Sequence, residues 1–119
     1  MTRDSIPLPV RGVVFPTDRA VPVAVHRFDA SRGGLQTLID GQTEAVMLDE
    51  AGPVMFVDAY GQSKGLPANP RATRFVDGYR PGFANADMIR GTAVVIGLDP
   101  ETGARADVSA ADVEAALRV

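Results

Sequence analysis

The chain has few residues that could do chemistry, and its single histidine is the first of them. His26 follows a run of alternating valines, and an imidazole can act as a general base or a metal ligand where carboxylates converge on it. The 119 residues contain no second histidine and no cysteine, so a zinc site would need carboxylates almost alone. We therefore predict no metal and no cofactor, and an enzyme that uses His26 as its base is the least favoured of three functional hypotheses.

The only lysine lies in a glycine- and proline-rich segment, GQSKGLPANP, at residues 61–70. Backbone amides and one ammonium group in such a loop can hold an anion. The segment is not a Walker loop, because Lys64 precedes Gly65 instead of following the second glycine of GxxxxGK[ST]. Asn69 lies between two prolines, where its side chain can bond back to the local backbone. The segment therefore predicts a stiff loop with one candidate anion ligand.

Aromatic and arginine residues alternate after this segment, a mixture that can stack a planar ligand or anchor a protein partner. Residues 60–90 contain five basic side chains (Lys64, Arg71, Arg74, Arg80, Arg90) and two acidic ones (Asp77, Asp87), a local charge of +3 in a chain whose net charge is -3. The residues that we predict to bind a ligand or partner are Lys64, Asn69, Arg71, Arg74, Tyr60, Tyr79 and Arg80.

Composition excludes several classes of protein. With 45% hydrophobic and 23% charged residues, the chain can form a packed core and is unlike a disordered segment. The net charge of -3 argues against a general nucleic-acid binder, which needs clustered lysine and arginine. No apolar run reaches eighteen residues and no signal-peptide pattern follows Arg3, so we expect a cytoplasmic protein that does not enter a membrane.

The elements that must position these residues begin with a predicted hairpin. Its second strand carries valines at alternate positions. Pro22, which lacks an amide hydrogen, predicts that this strand lies at a sheet edge or leaves that position unpaired. A short helix follows, with Asp29 or Ser31 as its N-cap and Gly41 as a left-handed stop.

Two apolar runs at residues 45–48 and 54–57 form a second predicted hairpin, and their continuous hydrophobicity predicts two central strands. Residues 61–82 have no clear period, and RATRFV within them fits a short helix or an extended segment. A further strand is expected at residues 91–98, then a turn at residues 99–103. Ser109 predicts the N-cap of a final helix with an apolar stripe at Val113, Ala116 and Leu117, and the methionines at positions 47, 55 and 88 fit core positions.

These elements predict one α+β domain over residues 10–119, after a flexible N-terminal segment at residues 1–9. We expect a mostly antiparallel sheet of about five strands, one short internal helix and a C-terminal helix.

Three stretches, GGLQTLIDGQTEAVMLDE, GQSKGLPANPRAT and MIRGTAVVIG, resemble the bacterial and phage family of domain of unknown function 3846. The resemblance covers residues 35–97 and is most specific at the KGLPxNxxAT-like segment, which begins at Lys64. Upstream, VDAYG replaces the NEEG-like turn of the family. The resemblance implies a protein of phages, prophages or mobile elements, and it implies no catalytic residues.

The favoured hypothesis is therefore a small non-enzymatic accessory protein of a phage or mobile element that binds a host protein, as an interaction or counter-defence module. A second hypothesis is a sequestering protein for a small anionic ligand such as a nucleotide, with Lys64, Arg71 and Arg74 pairing phosphate oxygens. The sequence leaves a homo-oligomer open.

Overall fold

The strands of the computed structural model, which describes residues 9–50 and 52–119, form one antiparallel sheet. The strands are β1 (Pro9–Phe15), β2 (Ala24–Asp29), β3 (Thr43–Met47), β4 (Val54–Asp58), β5 (Ala93–Leu98) and β6 (Arg105–Ala106). The helices are α1 (Arg32–Ile39), α2 (Pro70–Tyr79), α3 (Phe83–Ala86) and α4 (Ala110–Leu117). The main strand order is β2-β1-β5-β4-β3, and β6 pairs with the end of β5. The predicted α+β class and antiparallel sheet are confirmed.

Helices cover both faces of this sheet because its central strands are apolar on both sides. In β5, Ala93 and Val95 join the core under α2 and α4, whereas Val94 and Ile96 join the core under α1. The alternation follows from the period of two residues along a strand. We call these the α2 face and the α1 face. The predicted flexible segment at residues 1–9 lies outside the described residues, except for Pro9, which begins β1.

Only one strand of the second hairpin is central. β4 is buried throughout and lies between β5 and β3, as predicted. The prediction for β3 was wrong, because it is an edge strand with Glu44, Ala45 and Met47 exposed. Met47, like Met88, is not a core residue. The two apolar runs look alike in sequence. β4 is central because β5 pairs with its other side, whereas β3 has a neighbouring strand on one side only. β2 forms the opposite edge, which is one of the two outcomes predicted from Pro22, and the strand begins after that proline.

The capping predictions hold at the starts of α1 and α4. Ser31 accepts a hydrogen bond from the Gly34 amide at 3.2 Å, and Ser109 accepts one from the Asp112 amide at 3.1 Å. The stop of α1 differs from the prediction, because Asp40, with φ 62°, adopts the left-handed conformation in place of Gly41.

Residues 61–82, which have no clear period in the sequence, contain the whole of α2. Asn69 caps this helix and Pro70 occupies its first turn, where a missing amide hydrogen costs nothing. With α1 and α3, the described chain has three helices before α4, so the prediction of one internal helix was wrong. Leu117 is 56% exposed and lies outside the apolar stripe of α4.

Candidate functional site

Asn69 is the most completely used of the predicted site residues. Its side chain is fully buried, and its Nδ2 donates to the carbonyl oxygens of Phe15 at 2.8 Å and Gly91 at 2.9 Å. Its Oδ1 accepts from the Ala72 amide at 3.1 Å. The residue therefore joins β1, α2 and the start of the β5 segment. Its side chain has no polar atom left for a partner, so its assignment to a binding surface is corrected to a structural role.

Lys64 forms an ion pair with a carboxylate of its own chain. Its Nζ lies 2.5 Å from Oδ2 of Asp58, a carboxylate at the end of β4 whose side chain is 1% exposed. The hydrogen bond from Lys64 lowers the pKa of Asp58 below 3.8, against the opposing effect of burial, and the Tyr60 amide adds a second bond at 2.8 Å. A buried carboxylate needs such a partner. The ammonium group of Lys64 thus compensates a charge of the protein itself.

Gly41 provides the space for this ion pair. A Cβ atom at that position would lie 2.4 Å from Asp58 Oδ2 and 2.9 Å from Lys64 Nζ. The glycine that the sequence suggested as a helix stop is therefore needed for close approach of side chains.

The two arginines of α2 that were predicted to share an anion site with Lys64 have other surroundings. Arg71 donates to the carbonyl oxygens of Pro16 at 2.7 Å and Asp18 at 3.0 Å, and so fastens α2 to the β1–β2 loop. Arg74 is exposed and makes no hydrogen bond to another described residue. The structure therefore does not assemble the predicted anion site from these three cations.

The two tyrosines that were predicted to bind a ligand or partner also have different surroundings. Tyr79 hydrogen-bonds Asp112 and joins α2 to α4. Desolvation, reinforced by this bond, raises the pKa of the Tyr79 hydroxyl above its usual range. Tyr60 is 56% exposed in the turn after β4.

A cleft of about 470 Å³ lies on the α2 face, where β3 is not covered by a helix. The floor of the cleft is formed by residues 44–47 of β3 and by residues 57–59, at the end of the neighbouring strand β4. The turn that contains Gly61 and Gln62 closes one end. The segment of residues 80–90, which we call the wall segment, forms its side and contributes Arg80, Phe83, Asp87, Met88, Ile89 and Arg90.

Arg80 is the predicted site residue that the structure places in the cleft. Its guanidinium carbon lies 5.7 Å from the centroid of the Phe83 ring, within the range of a cation–π contact. One of its NH groups lies 3.5 Å from the Met47 carbonyl oxygen, at the outer limit of a hydrogen bond. The residue is exposed and forms no ion pair with a described carboxylate. Its charge is therefore accessible to a binding partner.

The wall segment is held in place by hydrogen bonds to α2 and to its N-cap, Asn69. The Ile89 amide donates to Thr73 Oγ1 at 2.9 Å, and the Asn69 amide donates to the Ile89 carbonyl at 2.7 Å. Asp77 Oδ1 accepts from the amides of Gly82 at 3.2 Å and Ala84 at 2.9 Å, which fixes the turn before and within α3. The cleft is therefore preorganised by the capped helix α2.

The charges around the cleft have both signs. Glu44 and Asp87 are exposed carboxylates, and Arg80 and Arg90 are exposed cations. Val46, Phe83 and Met88 also line the cleft. Arginine, aromatic and methionine side chains are enriched in surfaces that bind another protein.

His26 lies far from this arrangement in the sheet order. It is exposed on β2, opposite Gly12 of β1, and it does not line the cleft. The described residues contain no group of three or more histidine, aspartate or glutamate side chains placed to hold a metal ion. Within the same residues, no helix has both the length and the apolar character needed to cross a bilayer.

Sequence reasoning missed the acidic members of these arrangements. The role of Asp58 had one visible signal in the sequence. Its carboxylate ends a continuous apolar run, and the only lysine of the chain follows six residues later. Glu44 had no such signal, because its exposure in the cleft depends on β3 lying at the edge of the sheet.

Comparison with known proteins gives one family. A family model described as a domain of unknown function (DUF3846) matches residues 11–118, nearly the whole chain. No curated protein and no solved structure matches it.

Proposed function

The chain belongs to the family described as a domain of unknown function (DUF3846), and we propose that it is a small non-enzymatic binding protein that holds a protein partner in the cleft. The observation that carries the proposal is the preorganised cleft with an exposed Arg80 on its wall. Following the phage-like character of the family resemblance, the partner is a host protein, and the role is that of an accessory or counter-defence module.

The geometry supports a protein partner through the entropy of binding. Association costs several kcal/mol in lost motion and in ordering of side chains, and a surface that is already fixed avoids part of that cost. Thr73 and Asp77 fix the wall segment by hydrogen bonds to its backbone. Arginine and aromatic side chains are also the residues that most often dominate binding energy in protein interfaces.

The proposal is tested by affinity capture from a bacterial host lysate with three forms of the tagged protein. We expect a protein that is retained by the wild type and by Arg74→Ala, and lost with Arg80→Ala. Arg74 is the matched control because it is also an exposed arginine of the same region, outside the cleft. Equal recovery with all three forms would exclude the cleft as the binding site.

A second candidate, binding of a small anionic ligand, is favoured by one observation: Arg80 and Arg90 both line the cleft. Its volume of about 470 Å³ falls in the range of small-molecule sites. The carboxylates of Glu44 and Asp87 in the same lining oppose a dense anion, which is why we place this function second.

Thermal unfolding with mono-, di- and cyclic nucleotides at millimolar concentration separates the two candidates. A ligand that binds the folded state raises Tm by mass action. A rise that disappears in Arg80→Ala would favour sequestration, and an unchanged Tm with every nucleotide would reject it.

A further inference from the structure

The outer edge of β3 carries backbone groups that no described strand uses. The Ala59 amide donates to the Gln42 carbonyl at 2.8 Å, in the same register that pairs Thr43 with Asp58. In an antiparallel ladder, hydrogen-bonded positions alternate along each strand. Even-numbered residues of β3 therefore bond to β4, and Thr43, Ala45 and Met47 direct their amide and carbonyl groups outward.

The two edges of the sheet differ in how they are protected. Natural edge strands are commonly shielded by proline and charged side chains. β2 follows Pro22 and contains His26, Arg27 and Asp29. β3 contains no proline and one charged residue, Glu44, and its outward-bonding centre is the small residue Ala45. The edge at β3 is thus the one that is open to another strand.

From this geometry we infer that β3 pairs with β3 of a second copy of the chain, in antiparallel register about Ala45, to form a symmetric dimer with a continuous sheet. In that register Ala45 lies opposite the second copy's Ala45, and Thr43 lies opposite the second copy's Met47. The outward groups of the three positions then bond in pairs, two hydrogen bonds to each pair. An interface of this kind is self-complementary, as a two-fold dimer requires.

Charge complementarity is the reason to choose a second copy as the occupant. Arg80 lies at the Met47 end of the strand, where its guanidinium approaches the Met47 carbonyl. Glu44 is exposed near the opposite end. Antiparallel pairing about Ala45 places Glu44 across from the second copy's Val46 on the same sheet face, next to the second copy's Arg80. Two symmetric ion pairs result from residues that are otherwise unpaired among the described part of the chain.

The inference accounts for the weak contact of Arg80 with its own strand. At 3.5 Å, the NH group of Arg80 holds the Met47 carbonyl poorly. In the dimer that carbonyl accepts from the amide of the second copy's Thr43, and the guanidinium is released to the carboxylate. Arg80 also lines the cleft in which we propose that a host protein binds, so the dimer and that partner compete for the same guanidinium group.

Light scattering coupled to size exclusion, over about two decades of protein concentration, measures the dimer directly by mass action. We expect the wild-type mass to rise to twice the 12.5 kDa of one chain. Glu44→Arg and Arg80→Glu should each shift the protein to the monomer, and the double variant should restore the dimer by exchanging the charges. A wild type that remains a monomer at every concentration would overturn the inference.

Ala45→Pro tests the backbone part independently of charge. Its amide points outward, so proline removes a bond to the second copy and none to β4. We expect a monomer whose circular dichroism matches that of the wild type, and whose Tm matches that of the wild type at concentrations where the wild type is a monomer. A dimer that persists in this variant and in both single charge variants would place the contact on another surface and would reject the inference.

Discussion

The loop of residues 61–69 and the cleft beside it differ in what their polar side chains do. In the loop, Asn69 is buried with three hydrogen bonds, and Lys64 neutralises a buried carboxylate. In the cleft, Arg80 and Glu44 are exposed and form no ion pair with a described residue. The loop carries the most distinctive sequence motif, and the cleft carries almost none.

This difference teaches that a distinctive motif can record a structural requirement. A buried amide that joins three segments tolerates few replacements, because each lost bond leaves a carbonyl or amide without a partner. The residues of an exposed binding surface depend on the partner that it binds, so such a surface needs no particular motif. Loop variants should therefore change stability, and cleft variants should change binding.

The largest decrease in the free energy of unfolding is expected for Asn69→Ala. The change removes the N-cap of α2 and leaves the carbonyls of Phe15 and Gly91 without their donor. Together these losses should lower the free energy of unfolding by about 3 kcal/mol. Urea denaturation measures it, and Asn85→Ala, an exposed asparagine of α3, is the control with a change below about 0.5 kcal/mol. A loss below about 1 kcal/mol for Asn69→Ala would contradict the structural role of the loop.

Lys64→Met should lower the free energy of unfolding by about 2 kcal/mol at pH 7, less than for a fully buried pair because Lys64 is 42% exposed. The effect should depend on pH. In the wild type the pKa of Asp58 is lowered from 3.8, so its pairing stabilises the fold above that pH, and this contribution is lost as the pH falls through the folded value.

In the variant, the main cause that lowers the pKa of Asp58 is gone, and burial raises it. The stability difference between wild type and variant should therefore narrow between pH 7 and pH 3. A difference that stays constant over this range would mean that Lys64 acts through packing alone. Gly41→Ala disturbs the same ion pair, so the double variant should lose less than the sum of the two single losses.

Arg71→Ala should have a smaller effect, about 1 kcal/mol, because the guanidinium holds two carbonyls of the β1–β2 loop that water can partly satisfy. Arg74→Ala, one turn along the same helix and exposed, should change the free energy of unfolding by less than about 0.5 kcal/mol. Equal losses in the two variants, measured by thermal or urea unfolding, would remove the distinction between a structural and a free arginine.

Arg80→Ala should affect stability least, by less than about 0.5 kcal/mol, because its contacts with Phe83 and Met47 lie on an exposed surface. The same variant should lose the partner that the wild type captures. A large loss of stability here would place Arg80 with the loop residues and would erase the contrast between the two regions.

Several structural features could be predicted from local patterns. Ser31 and Ser109 were identified as N-caps because a short hydroxyl side chain before an apolar period bonds only to nearby amides. Pro22 predicted the β2 edge because proline cannot donate to a neighbouring strand. The α+β class followed from strand and helix periods that each extend over only a few residues.

The site could be predicted only in part. Arg80 was identified among the aromatic and arginine residues, and the structure places it in the cleft. The sequence predicts Lys64 and Arg71 as ligands of an anion, but in the structure they bind Asp58 and two carbonyl oxygens of the β1–β2 loop. Sequence gives the charge of a side chain and does not show what that charge faces.

The sequence by itself determined the N-caps of α1 and α4, most of the strands and the family resemblance, since capping and strand period act between residues a few positions apart. Tertiary structure alone decided that β3 is an edge, that Asn69 joins three segments and that Gly41 makes room for the Asp58–Lys64 ion pair. The physical reason is that burial and pairing depend on which distant segments meet, and contacts such as the one between Asn69 and Phe15 join residues 54 positions apart.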